Sequence, residues 1–145
     1  MMIRWENTEY DPYALVVRDV FGAYGLKAGV SGYYSIESHV KVAMGGANTT
    51  DAHVYKLPIN TPPAPAAFTG TRLVSSQYSI PSSTFNGTMA VLDQFIFLNA
   101  GEVLVLYIGQ GGGAGTSQFD ASSSTTGKFS LRLQQKSEKP GSFPY

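Results

Sequence analysis

The chain contains no cysteine. Disulfides and thiolate metal sites are therefore excluded, and stability must come from packing alone. Charge is nearly as scarce. Charged residues make up 14% of the 145, and ten basic side chains balance ten acidic ones, where about a quarter charged is usual. No basic block occurs, so a phosphate-driven nucleic-acid binder is not expected. No apolar run reaches the roughly 20 residues that a membrane helix needs. The opening "MMIRWENTEY" lacks an apolar h-region, and no secretory leader is expected there. Absent cysteine fits a reducing compartment, or a particle assembled in one. A surface so poor in charge suits a protein that covers much of itself with partners.

Helical periodicity is scarce as well. Apolar residues alternate, or run in blocks of four to seven bounded by Gly, Pro, Asn and Ser, which is the pattern of an all-β sandwich or barrel. In "GYYSIESHVKVAM", Tyr34, Ile36, Ser38, Val40 and Val42 point one way, and Tyr33, Ser35, Glu37, His39 and Lys41 the other. "HVYKLPI" is a second strand, which Pro58 marks as an edge or a strand end. "TRLVSSQYSI", Thr88–Leu98, Glu102–Ile108 and Lys128–Gln134 follow, and Ile3–Trp5 and Tyr13–Val17 are shorter candidates. Only Tyr13–Phe21 could mimic a helix, and its valines argue for extension.

Three segments read as non-strand. Asn60–Gly70 is Pro- and Ala-rich and reads as an extended crossing. Gly109–Gly127 is a long Gly/Ser loop, of a length that is usually functional or disordered. The tail "QQKSEKPGSFPY" reads as an arm. The expected organisation is one jelly-roll domain over residues 1–135 and a C-terminal arm over 136–145.

The stretch "FIFLNAGEVLVLYIGQGGG" poses the sharpest question, because neither of its two strands alternates. Read with strict period two, Met89, Val91, Asp93, Phe95 and Phe97 share one face, and Ala90, Leu92, Gln94, Ile96 and Leu98 the other. Val103, Val105 and Tyr107 likewise oppose Leu104, Leu106 and Ile108. A two-layer antiparallel sandwich gives each strand one inner face, so a second apolar face predicts an oligomer interface. Asp93 fits two roles, a registry element near an axis or a satisfied polar residue at a bulge. It could pair with Arg72, Arg132 or a lysine.

Taken in order, "GYYSIESHVKV", "GTMAVLDQFIFLNAGEVLVLYIGQ" and "GKFSLRLQQ" resemble the tumour necrosis factor and complement globular-head jelly rolls. The family's "Leu-x-x-Gly-Asp" turn corresponds to Leu98-Asn99-Ala100-Gly101-Glu102, with Glu in place of Asp. The resemblance implies an all-β, two-sheet antiparallel jelly-roll sandwich of ten strands, five per sheet, assembled as a homotrimer. It implies that Thr88–Leu98 lies in the inner sheet and Glu102–Ile108 in the outer. The expected trimer interface is Met89, Val91, Asp93, Phe95, Phe97, Tyr33 and Arg132. The expected partner-binding residues are Leu104, Leu106, Phe143 and Tyr145.

Catalytic and metal chemistry find little to stand on. There are two histidines, and Asp51-x-His53 offers two ligands where a metal site needs three or four. No Gly-x-Ser-x-Gly elbow is present. "GQGGGAGTS" lacks the Lys of a phosphate loop. The sequons at Asn48 and Asn86 read as chance. No enzyme activity, cofactor, metal, nucleic acid or membrane is expected. The size and fold resemble those of phage head decoration (cement) proteins. That implies a virion structural protein on the outer capsid surface, clamping major capsid protein subunits, with the head of a trimeric tail fibre or spike, binding a receptor or glycan, as the alternative.

Overall fold

The computed structural model describes residues 3, 5, 15–20, 22–59, 71–80, 84–112, 115–120 and 127–138. Among these the chain forms nine strands and no helix: β1 (Val16–Asp19), β2 (Gly22–Lys27), β3 (Gly32–Gly45), β4 (Asn48–Leu57), β5 (Thr71–Ile80), β6 (Thr84–Leu98), β7 (Val103–Gly112), β8 (Thr116–Asp120) and β9 (Gly127–Lys136). One sheet has five strands in the order β1-β2-β7-β4-β5. The other has four, with β3 central: β6 lies on one side, and β8 and β9 pair the other. All pairings are antiparallel. Against the expected ten strands in two sheets of five, the described residues form nine, in sheets of five and four. Near the N-terminus, Trp5 makes an isolated bridge to Ala23, and Ile3 donates its N–H to the Leu106 carbonyl at 2.8 Å.

Strand β3 follows its sequence pattern closely. Tyr34, Ile36, Ser38, Val40, Val42 and Met44 are buried, while the residues between them are half-buried or exposed. The buried row meets Ala52 and Val54 of β4 and Leu104, Leu106 and Ile108 of β7 in one continuous cluster. Leu98, Ala28 and Ile3 close the cluster, and Trp5, Phe119, Phe129 and Leu131 pack against it. Burial of each large aliphatic side chain there is worth about 1.5–3 kcal/mol.

Strand β7 is apolar on both faces because its own chain covers both. Leu104, Leu106 and Ile108 fill the space between the sheets. On the opposite face Val103 and Val105 form a second buried cluster with Tyr24 and Leu57, flanked by Val17 and Tyr55. A bulge brings Tyr24 there. Val17 pairs with Gly25 but Arg18 pairs with Ala23, so Tyr24 is the extra residue, and bulges re-aim side chains in this way. Gly25 completes the arrangement. A Cβ on it would lie 2.7 Å from both the Leu104 carbonyl oxygen and Val103 Cγ1.

The Gly/Ser-rich stretch expected as a loop over Gly109–Gly127 is partly sheet. β7 continues to Gly112, and β8 pairs Thr116–Asp120 with Gly45–Lys41 of β3. β3 offers a free edge beyond the end of β9, and backbone hydrogen bonding to that edge needs no apolar side chain. Pro58 follows directly on Leu57, the last residue of β4, and so marks a strand end. Of the Tyr13–Phe21 segment, Val16–Asp19 is extended rather than helical.

Candidate interaction face

The turn that joins β6 to β7 fixes the near end of the four-stranded sheet. Gly101 has φ +90°, a conformation that favours glycine. Its N–H reaches the Ala28 carbonyl at 2.8 Å, and Ala28 N–H reaches the Glu102 carbonyl at 2.8 Å. Glu102 Oε2 accepts from Asn99 N–H at 2.8 Å, and Oε1 lies 3.4 Å from Lys56 Nζ. The glutamate in place of the family's aspartate therefore clamps the turn from within. Across the same end, Ser31 Oγ accepts from Ala100 N–H at 3.0 Å. Tyr34 donates its hydroxyl to the Val30 carbonyl at 2.6 Å, and burial raises its pKa against the opposing pull of the Val30 N–H, which lies 3.4 Å from the hydroxyl oxygen.

Beside this turn the outward face of the sheet carries three aromatic rings. Tyr33 of β3 pairs with Phe97 of β6, and Ser35 pairs with Phe95. The Tyr33 and Phe95 rings stack at 5.1 Å with planes 9° apart, and Phe97 meets Tyr33 edge-on at 5.5 Å. Phe95 is 51% exposed in the middle of a strand face. Ser35 lies opposite, and its Oγ accepts from Gln134 Nε2 at 2.8 Å. Further along, Glu37 Oε2 lies 3.2 Å from Lys128 Nζ, and both side chains are about half exposed. Arg132 pairs with Ser35 across the β3–β9 ladder and is exposed.

The expected interface residues divide here. Tyr33, Phe95, Phe97 and Arg132 come together on this face. Met89 and Val91 lie beyond a register shift from them. Ile36 pairs with Gln94 but Ser38 with Val91, so two steps along β3 match three along β6. The extra residue at this bulge reverses the alternation. Met89 and Val91 thereby take register positions opposite Val40 and Ser38, which are buried core-face residues. Asp93 falls at the bulge itself. Leu104 and Leu106, expected to bind a partner, are 0% and 1% exposed in the intersheet core. Tyr24 and Leu57 bury the reverse face of their strand, so β7 offers no free apolar surface there. Phe143 and Tyr145 lie outside the described residues.

A second row of polar-tipped rings was not singled out from sequence. His53 meets Tyr55 edge-on at 5.9 Å, and Tyr55 meets Tyr107 at 6.1 Å. The pairing of His53 with Tyr107 across β4 and β7 could have been found only with the register in hand. Desolvation pulls the His53 pKa below the usual histidine value, helped by the Arg72 cation and opposed by Asp51. Its Nδ1 is buried with no hydrogen-bond partner. Among the described residues, no three His, Asp or Glu side chains gather as a metal site, and no helix is long and apolar enough to cross a membrane.

No family model matches the chain, and no curated protein matches it in sequence. Among solved structures it is similar to Eiger TNF from S. frugiperda, with a TM-score of 0.55 and 12% sequence identity over 86% of this chain and 72% of that one. At that identity the likeness concerns the fold. The two antiparallel sheets form a TNF-like jelly roll. The strand placement inferred from the family resemblance agrees, with β6 and β9 flanking β3 in one sheet and β7 in the other.

Proposed function

We propose that this chain is a non-enzymatic structural protein that associates as a homotrimer through the outer face of its four-stranded sheet, and that the trimer serves as a capsid decoration protein gripping neighbouring capsid subunits. The observation that carries the self-association is the Tyr33–Phe95–Phe97 cluster, with Phe95 half exposed at mid-strand. Exposed aromatic anchors of this kind concentrate interface energy. A closed ring buries the same patch on every copy, so the gain is multiplied by symmetry. The decoration role rests on the jelly-roll fold, the neutral and weakly charged composition, and the avidity that three equivalent copies confer on weak contacts with a lattice.

Two measurements test the reading. Sedimentation equilibrium of the purified protein should give three times the chain mass, and a monomer at all concentrations would remove the trimer. Added to capsids that lack it, the protein should bind at saturable stoichiometry and raise their heat resistance. Failure to bind, with the trimer intact, would remove the decoration role alone.

A further inference from the structure

The near end of the molecule, where the aromatic face stops, is apolar at its tip and braced beneath. Among the described residues, five large apolar side chains are exposed. Phe95, Leu133, Val30 and Ile59 lie at or toward this end, and Val20 lies at the other, in the β1–β2 turn. Val30 is 38% exposed and Ile59 52%. Ile59 rests on the Gly101 turn, where an added Cβ would lie 3.2 Å from its Cγ2. The tip is ordered by its own hydrogen bonds. The Gly101, Ala28 and Glu102 backbones tie the β2–β3 turn to the β6–β7 turn, and Ser137 N–H reaches the Ser31 carbonyl at 3.2 Å. A surface ordered before contact loses little freedom on binding. The charge around the tip is mainly of one sign. Lys27 ends β2, Lys136 ends β9 and Arg72 is the second residue of β5, and all three are exposed. Against them stands the exposed Glu138, while Glu102 is held by Lys56.

We infer that this end is the foot of the assembly, and that it docks into an apolar socket with an acidic rim on the capsid subunit. The inference rests on the decoration reading and adds the docking surface and the chemistry of its partner. The aromatic face runs directly into the tip, because Tyr33 and Phe97 pair one step from Gly32 and Leu98, where the β3–β6 ladder ends. Rotation about an axis leaves height along that axis unchanged. A ring closed through the aromatic face therefore carries its three tips at one level. The lattice meets three equal feet at once, and avidity multiplies a weak contact. Val30 and Ile59 are the apolar anchors, of the kind that concentrate binding energy. Lys27, Arg72 and Lys136 match an acidic rim, which speeds encounter and selects the partner. Val20 stands alone beside the Gly22 turn and has no such setting.

Cosedimentation isotherms on capsids that lack the protein provide the test, with wild type, Val30→Ser, Ile59→Ser and Val20→Ser. Sedimentation equilibrium first establishes that each variant self-associates as wild type does. Val30→Ser and Ile59→Ser should each weaken capsid binding about ten-fold or more, the loss expected for one aliphatic anchor. Val20→Ser should bind as wild type. Combining Lys27→Gln with Lys136→Gln should slow association and flatten its dependence on salt. Equal binding by all three serine variants overturns the inference and leaves the decoration role standing. Flotation with vesicles of anionic phospholipid that Ile59→Ser abolishes also overturns it, since the foot would then be a lipid contact. Wild-type association that ignores salt overturns the acidic rim and with it the stated partner. Wild type that does not bind capsids overturns the decoration role and the inference together.

Discussion

Truncating Leu106 and truncating Phe95 should have opposite consequences, although both are large apolar residues on strands consecutive in sequence, β7 and β6. Leu106 is 1% exposed between the sheets, among Ile36, Val54 and Leu104. Leu106→Ala removes buried carbons and leaves a cavity that two sheets cannot close, which costs about 2–5 kcal/mol. Native stabilities are only about 5–15 kcal/mol. The loss should lower Tm by roughly 5–15 °C for a chain of this size. Phe95 is 51% exposed, so only half of its burial energy is realised within one copy. Phe95→Ala should therefore cost the isolated chain about 1–1.5 kcal/mol. The other half is realised on association. Over three copies its loss is about 3–4 kcal/mol, a hundred-fold or greater weakening of trimerisation. Thermal unfolding at concentrations where the protein is monomeric isolates the first effect, and sedimentation equilibrium isolates the second. If Leu106→Ala left Tm unchanged while altering association, β7 would present that residue outward and the intersheet assignment would be wrong. If Phe95→Ala unfolded the monomer while leaving association intact, the aromatic face would be part of the fold and not a seam.

Three further outcomes follow from the same geometry. Gly25→Ala would push a methyl group against the Leu104 carbonyl and the Val103 side chain; denaturant titration should show a loss of about 1–3 kcal/mol, as for overpacked cores. Glu102→Ala strips the Asn99 N–H of its acceptor and Lys56 of its counter-ion, and should cost about 1–3 kcal/mol by the same assay, with Glu102→Gln retaining part of the difference. Because the folded-state pKa of His53 is depressed, the unfolded chain takes up the proton first as pH falls. Stability should be full above about pH 6.5 and decline below it. His53→Gln should flatten that slope in thermal unfolding followed against pH at low protein concentration.

The sequence made β3 legible because one of its faces is buried along its whole length, so period two survives in Tyr34, Ile36, Ser38, Val40 and Val42. It did not make β6 legible. Alternation counted from Phe97 back to Met89 assumes a regular ladder, and the bulge beside Glu37 breaks it. Nothing in "VLDQF" shows where an extra residue is absorbed, since a bulge is settled by the partner strand. β8 was hidden for a different reason. "TSQFD" carries one large apolar residue, Phe119, and its place in the sheet comes from the open edge of β3. The two-faced character of β7 is legible in its sequence, which leaves its cover to an arm, a long loop or a partner. The cover is Tyr24, whose direction depends on a second bulge, and Leu57, contributed by the strand alongside. The aromatic trio was legible in composition, while its compactness on one end of the sheet required the register.

The central place of β3 bears on how the protein comes to be folded during its synthesis. One edge of β3 belongs to β6 and the other is shared by β8 and β9. The Glu37–Lys128 contact spans 91 residues. Ladders this distant close slowly, and until β9 has been made β3 holds an unsatisfied edge of the kind that recruits other chains. A ribosome pausing between β6 and β9 would leave that edge open longest. Slowing translation over that interval should increase aggregation of the newly made chain, whereas slowing it before β3 should not.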